Sequence, residues 1–282
     1  ARLWSMETGE LLHVLKGHTE EVFTVEFHPS GTMVATGSFD DTIRLWDVET
    51  GETIYVLQGH TDDLRDVTFS PDGNILASAA ADSTAKLWDT QTGELLHTLI
   101  GHSDKSWVMV AQFTPDGSKL ATGSSDATAR LWDVRTGELL NIFVGHADRV
   151  ERLVFSPAGD QLLTSSWDAT ARLWSLQTGE TIHTFEGHTD TIRSVAFSPN
   201  GEFFITGSLD HTARIWDVRS PDQLGTYVGH DDAILSVDYH AGTHLLATAS
   251  VDRTIRIWDA TNGNQLARFS GDDENDTWIR SV

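Results

Sequence analysis

The sequence predicts an all-β protein built from one four-stranded unit copied end to end, and three observations carry that reading. A Gly-His dipeptide recurs at Gly17-His18, Gly59-His60, Gly101-His102, Gly145-His146, Gly187-His188 and Gly229-His230. A Leu/Ile-Trp pair keeps the same beat through Trp4, Trp46, Trp88, Trp132, Trp174, Trp216 and Trp258, in steps of 42, 42, 44, 42, 42 and 42 residues. No stretch has helical periodicity. A fixed period of this length marks a supersecondary unit that buries its apolar face only against its neighbours.

Within one copy the strands follow in order. Residues 22 to 27 alternate imperfectly as Val-Phe-Thr-Val-Glu-Phe, and His28-Pro29-Ser30-Gly31 then supplies a proline that cannot donate to a ladder and a glycine that tolerates positive φ. Residues 33 to 38 form the second strand, Asp40-Asp41 turn the chain, 42 to 46 form the third, and the Thr50-Gly51 turn leads into a fourth at 53 to 57. The other copies repeat this with Pro-Asp-Gly at 71 to 73 and 115 to 117, Pro-Ala-Gly at 157 to 159 and Pro-Asn-Gly at 199 to 201. Loops this short leave no linker, so residues 1–282 read as a single domain.

Gly-His, then Phe-x-Pro-x-Gly, then Ser-x-Asp-x-Thr-x-Arg-Leu-Trp-Asp resembles the WD40 repeat family over essentially the whole chain. The resemblance implies a seven-bladed β-propeller of four-stranded antiparallel blades with the first strand of each innermost. The units run 17–58, 59–100, 101–144, 145–186, 187–228 and 229–270, with a half blade at 1–16 and the start of a closing blade at 271–282. Residues 279 to 282 are expected to join residues 1 to 15 in that closing blade, which lacks its second strand in this chain; joining would remove exposed sheet edges. Ala1 falls inside a strand pattern and Val282 stops where other copies continue, so a longer parent is expected, with this part as a monomeric propeller within it.

Composition narrows the function classes. The 10 Trp and 39% hydrophobic residues suffice for one large all-β core, and neither a membrane-spanning run nor a signal pattern is present. With 0 Cys there are no disulfides or thiolate metal sites. The formal charge of −23, from 42 acidic against 19 basic residues, disfavours nucleic acid and anionic membranes as partners and favours a basic one. Of the 13 His, six belong to the Gly-His set, and His28, His211, His240, His244 and the rest lack metal-ligand spacing, so no metal and no cofactor are expected. His13, His97 and His183 share one register on the outermost strand, where surface exposure is expected. A cytoplasmic location is expected.

Each copy also carries an Asp, a His, a hydroxyl and a Trp, which by residue type imitate a catalytic triad. The sets are Asp40, His18, Thr36, Trp46; Asp82, His60, Ser78, Trp88; Asp126, His102, Thr122, Trp132; Asp168, His146, Thr164, Trp174; Asp210, His188, Thr206, Trp216; and Asp252, His230, Thr248, Trp258. The resemblance implies a buried structural chain running Asp to His to hydroxyl to indole. A second serine class (Ser38, Ser124, Ser166, Ser208, Ser250) could supply the hydroxyl, but Ala80 interrupts it, which favours the Thr36 class. Recurrence in every copy argues against catalysis, and the chain is read as a non-enzyme.

Departures from the repeat point to partner contacts. Three Trp lie outside the beat, Trp107, Trp167 and Trp278, and the residues after each Gly-His are acidic: Glu20, Glu21, Asp62, Asp63, Asp104, Asp148, Asp190, Asp231, Asp232 and the run 272–276. Together with the Asp turns these would form an acidic rim on the face that the resemblance calls the top. Registers that contact partners in the family fall on Phe23, Phe39, Arg65, Trp107, Met109, Arg149, Trp167, Arg193, Trp278 and Arg280, with Leu209, Leu235 and Val251 either joining them or packing between blades. Phe23, Phe39 and Trp278 are expected to cluster, as are Trp107, Met109 and Trp167, and the two-residue lengthening at 103–107 should push its loop outward. The function expected is a protein-interaction scaffold binding a peptide or protein with hydrophobic anchors and basic flanks. The alternative is a sensor or autoinhibitory domain of a larger signalling NTPase or kinase.

Overall fold

The computed structural model describes residues 1–240 and 243–270. Among them every regular element is a strand, arranged as one two-stranded and six four-stranded sheets, seven in all. Sheet 1 consists of Val22–Phe27, Met33–Ser38, Thr42–Asp47 and Thr53–Gln58, paired antiparallel in chain order and within one residue of the expected bounds. Sheets 2 to 6 repeat it over 64–100, 108–144, 150–185, 192–228 and 234–270. Arg2–Trp4 and Leu11–Val14 form the two-stranded sheet. The expected joining of residues 279 to 282 to this pair lies outside the described residues.

The turns have distinct chemistries. Gly31 closes the first hairpin by donating its N–H to His28 O at 2.8 Å with φ at 74°, where a side chain would be strained. The second hairpin instead places Asp41, Ser83, Ala127, Ala169, His211 and Arg253 at φ between 62° and 69°. Left-handed backbone costs an L-residue about 1–2 kcal/mol. The preceding aspartate offsets it: Asp40 Oδ1 accepts both Thr42 N–H at 3.0 Å and Thr42 Oγ1–H at 2.6 Å.

Each first strand contains a bulge near its start. Val22 faces Ser38 and Thr24 faces Gly37, leaving Phe23 as the extra residue, and the same shift isolates Arg65, Met109, Glu151, Arg193 and Leu235. A bulge bends the strand and re-aims the extra side chain.

The core lies between adjacent sheets. Ile43, Leu45 and Leu57 of sheet 1 pack on Leu64, Val67, Phe69 and Trp88 of sheet 2, and Leu173 and Phe185 of sheet 4 pack on Ile192, Phe204 and Trp216 of sheet 5. Each buried Leu or Phe contributes about 1.5–3 kcal/mol. Trp4 departs from the beat, being 53% exposed where Trp46 is 1%, because its sheet has two strands among the described residues. The chain divides into two compact units, Ala1–Asp126 with Arg130–Ile142, and Ala127–Ala129 with the chain from Phe143 onward. The two-stranded sheet and sheets 1 and 2 belong to the first, sheets 4 to 6 to the second.

Candidate functional site

At the Gly-His end of each four-stranded sheet the Asp, His, hydroxyl and Trp join. His18 Nδ1 lies 2.9 Å from Asp40 Oδ2, His18 Nε2 2.7 Å from Thr36 Oγ1, and Trp46 Nε1–H donates to Thr36 Oγ1 at 2.8 Å. The other five sets repeat this, with Ser78 in the second. An indole N–H can only donate and a carboxylate can only accept, so the hydroxyl oxygen accepts from Trp and His Nδ1–H donates to the Asp carboxylate. With the imidazole neutral, its Nε2 accepts the hydroxyl proton. Burial agrees, holding His18, His102, His188 and His230 below the usual imidazole value. Burial alone would push the carboxyls up, but hydrogen bonds from His, Thr and backbone outweigh it and hold Asp40, Asp82 and Asp252 at about 2.

This geometry leaves no room for a substrate, since the imidazole side chains are 0–3% exposed and the indole occupies the hydroxyl oxygen. It also explains the glycine. A Cβ on Gly101 would sit 3.0 Å from the ring edge of Trp132 and 2.6 Å from Arg130 Nη1.

The bulge residues form the second set of features at this end. In the first unit Phe23 stacks on Phe39, ring centroids 5.3 Å apart, and the Arg65 guanidinium lies 5.5 Å from the Phe23 ring, 5.1 Å from Phe39 and 4.4 Å from Trp107. Arg65 Nη2–H also donates to Asp63 at 3.0 Å. Trp107 thus joins Phe23 and Phe39, a grouping that register alone did not supply; Met109 is half-buried in the same unit. The two extra residues fold into a turn in which Ser106 N–H donates to Ser103 O, and Trp107 is pinned by its N–H to Ser125 Oγ at 2.8 Å. Phe23 and Trp107 remain 38% exposed.

The second unit has its own cluster. The Arg149 guanidinium stacks 4.0 Å from the Trp167 ring, Trp167 Nε1–H donates to Glu151 Oε2 at 2.8 Å, and Arg193 Nη1 pairs with Glu151 Oε1 at 2.6 Å. Sequence reasoning missed Glu151, although it occupies the bulge register of Phe23, Arg65 and Arg193 and that register was the available signal. Leu209, Leu235 and Val251 are half-buried. Trp278 and Arg280 lie outside the described residues.

Among the described residues the acids of the Gly-His loops are exposed except for the half-buried Asp63; the run 272–276 lies outside the described residues. Asp41, Asp62 and Asp63 each bring a carboxylate oxygen within 4.8 Å of the others, and Asp41 is pushed up first by burial and then by its acidic neighbours. Away from this end, His13, His97 and His183 are half-buried rather than exposed. Each donates Nε2–H to a carbonyl of the following sheet: Glu49 at 2.9 Å, Arg135 at 3.1 Å and Arg219 at 3.2 Å. Sealing of the gap between sheets is the reason for the departure.

The family model for WD domain, G-beta repeat (WD40) matches residues 9–47, 51–89, 93–133, 137–175, 179–217 and 221–259. The chain belongs to the WD40 family. Repeats of this family serve in general as protein-interaction scaffolds without enzymatic activity of their own. A 42-residue stretch is 45% identical to Periodic tryptophan protein 2 homolog of Schizosaccharomyces pombe, covering 15% of this chain and 5% of that protein. The WD40 frame is offset from the sheets: residues 51–89 take the fourth strand of sheet 1 and the first three of sheet 2.

Proposed function

We propose that this WD40 chain is a protein-interaction scaffold that binds a peptide or protein segment at the Gly-His end of its sheets, with Phe23, Phe39, Arg65 and Trp107 as the anchor surface. The observation that carries the reading is the position of Arg65, which gathers the exposed Phe23 and Trp107 and the half-buried Phe39 while its own charge is held by Asp63. Asp62 and Asp41 stand beside Asp63. A partner residue that is basic would be drawn to these acids while a neighbouring apolar side chain covers the aromatic rings. The net charge of −23 supports the same choice and disfavours nucleic acid and anionic membranes.

The test is an array of synthetic peptides pairing Lys or Arg with an adjacent aliphatic or aromatic residue, alongside charge-reversed controls. For the peptides selected, Trp107→Ala should weaken affinity about 30-fold, as truncation of a central aromatic does. Asp62→Asn with Asp63→Asn should slow association and flatten its salt dependence while altering dissociation less. Selection of charge-reversed peptides, or unchanged affinity in folded Trp107→Ala and Phe23→Ala variants, would refute the assignment.

A further inference from the structure

In the two-stranded sheet and in sheets 1, 2 and 4, the third residue of the last strand clasps its sheet to the next. His13, His97 and His183 do so as described, and Tyr55 does so by donating its hydroxyl to Gln91 O at 2.6 Å. In sheet 5 this register holds Gly225, opposite Ile215, and the crossing to sheet 6 is made two residues further on, by the Tyr227 hydroxyl. A cavity of about 460 Å³ opens between sheets 5 and 6 at that point, walled by Phe203, Ile215, Leu224, Gly225, Tyr227 and Tyr239. A second recess of about 300 Å³, past Pro199 and Asn200, shares Phe203, Tyr239 and His244 with it.

Two further departures fall on the same cavity. Tyr239 stands where the first strands of sheets 1 to 5 end in Phe27, Phe69, Phe113, Phe155 and Phe197, and Tyr227 stands where earlier fourth strands carry Leu57, Leu99, Phe143 and Phe185. Tyr227 directs its hydroxyl to Ala260 O at 3.2 Å, while the Tyr239 hydroxyl meets His244 Nδ1 at 2.9 Å. The Phe203 ring meets Tyr239 edge-on at 4.9 Å. The wall contains no Asp, Glu, Lys or Arg, in a chain with 42 acidic residues. The matching recess between sheets 1 and 2, about 410 Å³, has the Tyr55 clasp and the acid Asp72 in its wall.

We propose that the cavity between sheets 5 and 6 binds an uncharged aromatic small molecule carrying one hydrogen-bonding group. The volume falls in the range of small-ligand sites, which are mostly apolar with a few placed polar groups. Aromatic walls favour a ring set edge-on or offset against them. A charged ligand would be desolvated without a counter-charge, which selects a neutral one. The Tyr239–His244 pair is placed between the aromatic walls to meet a hydroxyl or ring N–H on the ligand, with Thr226, Thr261 and Asn262 as the further polar side chains of the lining.

The probes are indole, 4-methylphenol, toluene and benzoate, titrated against the whole chain by ligand-observed saturation-transfer NMR. Indole and 4-methylphenol should bind saturably, 4-methylphenol more tightly than toluene, and benzoate should not bind. Gly225→His restores the side chain present at His13, His97 and His183, so it should keep the melting temperature at or above that of the parent while weakening indole at least about tenfold. Tyr239→Phe should remove the preference for 4-methylphenol over toluene while leaving toluene in place. Retained indole binding in folded Gly225→His, benzoate binding equal to that of 4-methylphenol, or an unchanged preference in Tyr239→Phe would each overturn the proposal. Binding only when the ring is presented within a peptide would overturn it too, by assigning the cavity to a partner's side chain.

Discussion

The indole N–H of Trp167 donates to Glu151 Oε2 at 2.8 Å, and the opposite oxygen of the same carboxylate, itself on a residue only 2% exposed, pairs with Arg193. A carboxylate buried this far is sustained by these two donors. Glu151→Ala should therefore take one buried partner from both the arginine and the indole. The expected loss is about 1–3 kcal/mol by denaturant titration, below that of a fully buried pair because Arg193 reaches solvent. A fall in the Trp167 fluorescence anisotropy, read in variants lacking other exposed Trp, should accompany it. Unchanged stability would mean that the pair is incidental.

Asp168 accepts hydrogen bonds from His146 Nδ1, Ala147 N, Thr170 N and Thr170 Oγ1, all between 2.7 and 2.9 Å. Asp168→Ala should destabilise the protein by about 1–3 kcal/mol, because removal of the shared acceptor leaves buried donors unsatisfied. Binding at the Phe23, Arg65 and Trp107 surface should persist below the melting temperature. Loss of binding with no change in melting would reverse the structural assignment of the network.

Acid should weaken the fold in two stages of one sign, opposed by the carboxyls pushed the other way, Asp41 and Glu26. His18, His102, His188 and His230 resist protonation when folded, so their contribution is complete above about pH 6.5 and declines as pH falls below it. Asp40, Asp82 and Asp252, held at about 2, add a further loss as pH falls below 3.8. Glu26 runs the other way: burial, then the nearby Asp66, push it up to about 7, so its contribution is present below 4.5 and lost as pH rises through 7. Glu26→Gln should accordingly be more stable than the parent at pH 8, with the difference shrinking by pH 5. Thermal melts of both proteins across pH 4 to 8 decide this, and a difference independent of pH would contradict it.

Ala169 holds φ at 65°, and its methyl group offers no hydrogen bond to stabilise that conformation. Ala169→Gly removes the left-handed penalty of about 1–2 kcal/mol and adds unfolded-state entropy worth about 0.4–1 kcal/mol. A net gain of about 0.5–1 kcal/mol in chemical denaturation is expected. A loss would show that the Asp168 hydrogen bonds already absorb the strain.

Strand order and turn positions were legible in the residues because their chemistry is local: a Pro-x-Gly turn, an Asp before a hydroxyl, a Trp closing the third strand. The bulge was not. Phe23 adds a residue to a strand without altering its composition, so it appeared only as imperfect alternation, and Glu151, in the register already assigned to Phe23 and Arg65, went unread. The grouping of Trp107 with Phe23 was invisible for another reason, since it depends on an arginine from the intervening sheet. His97 and its equivalents were misjudged because a register on an outer strand says nothing about a carbonyl in the following sheet.

The offset between the WD40 frame and the sheets has a consequence for how such a chain can change its number of copies. Every match after the first begins before a fourth strand and all end with a third, so sheets 1 to 5 are each completed by the copy that comes next. Excision of residues 93–133 would bring the fourth strand that follows directly behind the third strand of sheet 2, restoring a complete sheet at the join. Gain or loss of a copy at these boundaries leaves no half-built sheet inside the array. A cut at the Gly-His dipeptide would also preserve whole sheets, yet it would sever the covalent tie that makes each sheet depend on its successor.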